Sequence, residues 1–97
     1  MQLVNPSNRI GKVNMIRSNR SESDAHIKKK VEVCKNLTSQ GKHFLTEAIF
    51  KETHCRCDVL CLDDFTVYEI MCSESNESME TKKRRYPKWL KIKTIKC

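Results

Sequence analysis

Two carboxylates occupy matching places in adjoining apolar runs, Arg56-Cys57-Asp58-Val59-Leu60 and Val67-Tyr68-Glu69-Ile70, on either side of Asp63-Asp64. Read as a β-hairpin with Asp63-Asp64 as a two-residue turn, Leu62 faces Phe65, Leu60 faces Val67, Asp58 faces Glu69 and Arg56 faces Met71. Opposed residues share one face of a sheet, with Cβ atoms about 4.5–5.5 Å apart, and like charges so placed repel. A divalent cation is the usual reason to tolerate such a pair, because carboxylates on rigid strands suit magnesium with its retained waters. A slip of one residue would send the two acids to opposite faces. Glu47 adds a third carboxylate if its own strand adjoins the hairpin. A cation, a positioned water and positive charge near the leaving oxygen are what phosphodiester hydrolysis requires.

The elements that must position these acids follow from spacing. Ser21-Glu22-Ser23-Asp24 is a helix-start signature, and Ile27, Val31, Cys34 and Leu37 then recur at helical spacing up to Gly41. From Phe44 to Phe50 the side chains alternate, with Phe44, Thr46, Ala48 and Phe50 on one face and Leu45, Glu47 and Ile49 on the other, which predicts a strand. The hairpin spans about Cys55–Leu62 and Phe65–Cys72. Ser73 or Ser75 caps a second helix with early acids and late bases, carrying a thin apolar face of Met79 and Tyr86 and ending at Pro87. Leu90 to Ile95 reads as a last strand. Residues 1–20, polar and without period, read as a flexible arm with one short strand near Val13–Ile16, and 21–97 as a single domain. The expected architecture is α/β (α+β), helix–three strands–helix–strand, with a mixed central sheet flanked by helices.

Ninety-seven residues suit one small domain with a modest core, and the formal charge of +7 is unevenly placed. Glu69 to Glu80 is acidic, whereas the chain from Lys82 onward carries no acid. A basic protein of this size meets polyanions, nucleic acid first among them. Arg56 and the run Lys82, Lys83, Arg84 and Arg85 are the candidate phosphate contacts, with Tyr86 placed to stack on a base. No run is long and apolar enough for a membrane span, and the N-terminus lacks a secretory pattern, so the expected compartment is the cytoplasm, with the six cysteines reduced. Cys55 and Cys61 on one strand lie roughly 20 Å apart and cannot share a zinc ion. Buried apolar thiols are the better reading.

The order of these residues resembles the PD-(D/E)XK nuclease-like superfamily, which includes restriction endonucleases and archaeal Holliday-junction resolvases. The resemblance covers roughly Ala25 to Ile95: Glu47, Asp58 and Glu69-Ile70-Met71 take the places of its acidic motif. Thr46-Glu47, Arg56-Cys57-Asp58-Val59, Tyr68-Glu69-Ile70 and Ser73-Glu74 look most like small archaeal and competence-associated nuclease-like proteins, in which a helix carries His-x-x-x-Lys, matched here by His26 and Lys30. Met71 stands where the usual family lysine would be.

The resemblance implies a nuclease acting on DNA. Because a chain this short offers little surface for sequence reading, the expected action is structure-selective rather than site-specific. Asp58 and Glu69 would bind magnesium or manganese, joined by Glu47 and by the carbonyl of Ile70. Lys30 would replace the missing lysine as electrostatic stabiliser, with Lys82 as another candidate. His26 would orient a phosphate or transfer a proton, since imidazole changes charge near neutral pH. Ser73 would cap the second helix or touch waters of the metal site. A homodimer would supply two sites for two strands. Two alternatives stand beside this reading: a catalytically inactive nucleic-acid-binding module on the same fold, supported by Met71, and a small interaction or regulatory protein, as from a mobile element.

Overall fold

The computed structural model describes residues 3–4, 11–72 and 75–97. Its elements run α1 (Asp24–Ser39), β1 (Phe44–Ile49), β2 (Arg56–Cys61), β3 (Thr66–Met71), α2 (Asn76–Lys83) and β4 (Lys91–Lys96). The fold is α+β: one mixed four-stranded sheet in the order β1-β2-β3-β4, with two helices. The first three strands are antiparallel neighbours, and β4 pairs parallel to β3 after the α2 crossover. No helix among the described residues is long and apolar enough to cross a membrane.

Helix α1 starts where the sequence places it. Ser23 is the N-cap, its hydroxyl accepting from the His26 N–H at 3.2 Å, and Gly41 follows the C-terminus at φ +73°, a conformation that glycine adopts without strain. Ser23→Ala leaves that N–H unpaired and is expected to cost about 1 kcal/mol, read as a lower urea midpoint at unchanged m-value. The buried stripe is rotated from the expected one. Lys30, Cys34 and Leu37 face inward, while Ile27 and Val31 are only half-buried. A charged residue takes the centre of the helix face because it has buried partners, described below.

The hairpin pairs Leu60 with Val67 and Val59 with Tyr68 as expected. However, β2 ends at Cys61 and β3 starts at Thr66, so four residues rather than two make the connection. Leu62 donates its N–H to the His43 carbonyl at 2.8 Å instead of facing Phe65. Its turn is held by Asp64, whose carboxylate accepts the Thr66 N–H at 3.1 Å, while Phe65 turns at φ +55°. Hydrophobic residues gather on both faces of the sheet. Cys34 and Leu37 of α1 pack with Phe44, Val59, Cys61 and Ile70. On the other face Leu45, Ala48, Cys57, Leu60 and Val67 meet Val4, Phe50, Tyr86 and Leu90.

Regular alternation fails at one rung. Cys57 and Leu60 are three residues apart yet share a core, and so do Leu45 and Ala48. The β1–β2 register is the same on both sides of this point, Thr46 with Val59 and Ala48 with Cys57, so no residue has been inserted. Both strands deform together at Glu47 and Asp58, and Glu47 sits at φ +53°, a strained value for a non-glycine residue. The two acids are thereby released from the strict in-and-out pattern of a strand.

Several expectations need correction. Val13–Ile16 forms a turn and an irregular run rather than a strand. The described arm is tied to β1: Asn14 N–H donates to the Phe44 carbonyl at 2.8 Å, and Arg17 reaches the carbonyls of Thr46 and Glu47 at 2.7 and 3.3 Å. Val4 is fully buried and bridges to Phe50. Cys72 and Cys97 are placed as a disulfide pair, which the sequence reading did not anticipate. Parallel pairing sets Met71 beside Lys96, which brings the next residue of each strand together, and antiparallel hairpin reasoning does not see that. Cys34, Cys57 and Cys61 are buried free thiols as expected, burial raising the Cys34 thiol to about 12. The α2 cap is Ser75, and Ser73 lies outside the described residues.

Candidate metal centre and basic cleft

The deformed rung opens on a cleft of about 540 Å³ bordered by α1, the arm, the start of β2 and α2. Three side chains converge there: one ligand atom each from Glu22, His26 and Asp58, all within 4.8 Å of one another. Glu22 precedes the α1 cap and lies one turn before His26, so both occupy one side of the helix start. His26 Nδ1 touches Glu22 Oε2, and His26 Nε2 lies 3.4 Å from Asp58 Oδ2. Neither His26 Nδ1 nor Glu22 Oε2 makes a well-aligned hydrogen bond, although both are buried. Two carboxylates and an imidazole meeting in this way form a donor set for a divalent cation, and the imidazole favours manganese over magnesium.

Lys30 fixes Glu22 from behind. Its side chain is fully buried, and its three N–H donors have three partners: the Arg17 carbonyl at 2.8 Å, Glu22 at 2.8 Å and Glu47 Oε1 at 3.0 Å. Asn19 completes the arrangement, its N–H donating to Glu22 Oε1 at 2.8 Å and its side-chain amide to Glu47 Oε1 at 3.1 Å. Burial alone would raise the Glu22 carboxyl. The Lys30 ammonium, the Asn19 N–H and a hydrogen bond from Glu47 overcome it and hold Glu22 below the usual range. Glu47 goes the other way, raised by burial and by the adjoining Glu22 charge, with Lys30 offsetting only part.

Asp58 and Glu69 make a second unequal pair. Asp58 Oδ2 accepts the Ile70 N–H at 2.8 Å, taking a ladder position that a β2 carbonyl would fill in a regular hairpin. Tyr68 and Ile70 pack with the α1 cluster, whereas Glu69 between them in sequence meets α2, where Lys82 Nζ lies 3.2 Å from Oε2. Its carboxyl is completely buried and has been pushed up to about 9, first by burial and then by the Asp58 carboxylate, with Lys82 offsetting part of the rise. Burial and the nearby Asp58 carboxylate both favour the neutral form of Glu69, which lessens the repulsion between the two acids.

Of the expected metal ligands, then, Asp58 belongs to the converging group, while Glu47 is engaged by Lys30 and Glu69 by Lys82. Among the expected catalytic residues, His26 is in the group and Lys30 stands behind it. Met71 lies at the end of β3, half-buried. Of the expected nucleic-acid contacts, Arg56, Lys82 and Arg85 line the cleft. Lys83 and Arg84 lie along a separate groove with Glu80 and Pro87, and Lys83 Nζ lies 3.4 Å from Glu80. Tyr86 is buried, its ring edge-on to Phe50 and its hydroxyl donating to the Arg56 carbonyl at 3.2 Å, so it offers no stacking face.

Glu22, Asn19 and Arg17 are the site residues that sequence reasoning missed. Glu22 had a legible signal, since Glu22, His26 and Lys30 repeat every four residues along one helical stripe. Arg17 and Asn19 had none, because their role depends on where the arm docks. Comparison with protein-family models, with curated proteins and with solved structures returned no match. Function therefore rests on the geometry of the site.

Proposed function

We propose that this protein is a divalent-cation-dependent nuclease-like domain that hydrolyses phosphodiester bonds in DNA. One observation carries the reading: Glu22, His26 and Asp58 converge in a cleft whose rim bears Arg56, Lys82 and Arg85. Glu22, His26 and Asp58 would hold the cation, manganese or magnesium, which when bound supplies an activated water and neutralises charge on the phosphoryl oxygens. Arg56 and Arg85 bind the flanking phosphates, and the planar guanidinium can contact two oxygens of one phosphate. Lys82 holds Glu69 and stands at the cleft, which makes it the closest counterpart to the cation missing at Met71. Lys30 is a positioning residue: it locks Glu22 to β1 and keeps its carboxylate aimed at His26.

A second reading, a nucleic-acid-binding module without turnover, is favoured by Met71, which stands where the usual family lysine would be, and by the engagement of Lys82 with Glu69. Cleavage assays on labelled single-stranded, duplex and branched DNA with manganese or magnesium separate the two. The nuclease reading expects cation-dependent products that fall at least a hundredfold in Asp58→Asn and in Glu22→Gln, with far-UV circular dichroism unchanged. Salt-sensitive binding with no products in any cation, unaltered by either substitution, would leave the binding module.

A further inference from the structure

The basic C-terminal region contains one aromatic side chain that the cleft does not use. Trp89 is 60 % exposed, the most open of the large hydrophobic residues among the described residues, and it is the only tryptophan in the chain. It is not a loose side chain. Phe65 of the β2–β3 turn meets it edge-on, with ring centroids 5.6 Å apart at 70°, so the indole is supported along one side. Lys88 and Lys91, both exposed, flank it in sequence, and Lys91 opens β4. The nearby acids Asp63 and Asp64 are already engaged by His43 and Lys42.

We infer that Trp89 is a stacking platform for an unpaired base of single-stranded nucleic acid, with Lys88 and Lys91 contacting the phosphates on either side. Exposing an indole to water is unfavourable, and an open aromatic ring with cations beside it in sequence matches a nucleotide, which presents a ring and a negative charge together. The whole stretch from Lys82 to Cys97 has no acid, which favours a polyanion over a protein surface of mixed charge. Thr66, which pairs with Lys91, opens β3, and the cleft lies past its other end near Cys72. The platform and the cleft are thus separated by the length of a strand, about 20 Å. The platform does not depend on the cation site.

Trp89 reports on itself. Its fluorescence should be quenched saturably by an oligothymidylate in EDTA, where no cation site can contribute, and left unchanged by inorganic polyphosphate, which has the charge without the bases. Trp89→Ala should weaken oligothymidylate binding about tenfold by anisotropy, with Trp89→Phe intermediate. Replacing Lys88 and Lys91 together by alanine should lower the slope of log affinity against log salt while leaving quenching at saturation intact. Equal quenching by polyphosphate would overturn the inference, as would Trp89→Ala binding as tightly as the unmodified protein. Because the titration is free of divalent cations, its failure is distinct from failure of the hydrolytic reading.

Discussion

Lys30→Met should destabilise the protein by about 3–5 kcal/mol, the largest loss expected from any single substitution at the site. The ammonium is completely buried and is shared by Glu22 and Glu47, whose side chains are themselves only 6 and 11 % exposed. Methionine fills much the same volume, so the loss is electrostatic rather than a cavity. Removing the cation leaves two buried carboxyls facing each other without compensation, and at least one must take up a proton or open the arm to water. Two observations would identify the cause in chemical denaturation. The triple change Lys30→Met, Glu22→Gln, Glu47→Gln should recover much of the loss, and the single variant should regain stability as pH falls toward 5. A loss below 1 kcal/mol would mean that Lys30 does not organise this side of the cleft.

Glu69 gives the second large effect, one that depends on pH. Its ordinary value is 4.5 and the folded protein raises it to about 9, through burial first and Asp58 second. Between these values the native state keeps a proton that the unfolded chain has released, so the native state binds more protons and stability falls as pH rises. The contribution is fully present below about 4.5 and is lost on the way to about 9. One such proton corresponds to a slope of about 1.4 kcal/mol per pH unit, or about 3 kcal/mol from pH 6 to 8.5. Glu69→Gln mimics the protonated form and should remove that slope. The difference between unfolding free energies of the two proteins, measured in EDTA, isolates it from other titrations. Parallel curves would show that Glu69 is ionised in the native state and that its charge is fully balanced by Lys82.

Much of the fold was legible because each element has its own local signal. Ser23 and Gly41 bracket α1, the acid-to-base gradient marks α2, and the branched residues around Asp63-Asp64 give the hairpin and its register. The pairing of Leu60 with Val67 agrees with that reading, although the connection is four residues long and not two. What was hidden depends on contacts distant in sequence. Lys30 reads as a polar interruption of an amphipathic helix until the arm and β1 are seen to supply its partners. The disulfide of Cys72 with Cys97 requires the parallel β3–β4 register, to which no turn points. At the site, continuing the hairpin register would set Asp58 opposite Glu69, but the observed pairing runs only through Val59 with Tyr68 and Leu60 with Val67. Alternation cannot foresee a rung at which two strands deform together. That deformation turns Asp58 toward α1 and His26, while Glu69 stays on the side of Lys82. Two carboxyls read from the register as joint ligands thus have different environments and different partners.

The ligand set is the central claim, and crystals soaked in manganese test it most directly. Anomalous scattering should place one ion within about 2.0–2.3 Å of oxygens from Glu22 and Asp58 and of a His26 nitrogen, with waters completing its shell. Glu69 should remain with Lys82. No ion at that position, or an ion held by Asp58 and Glu69 with His26 turned away, would contradict the account.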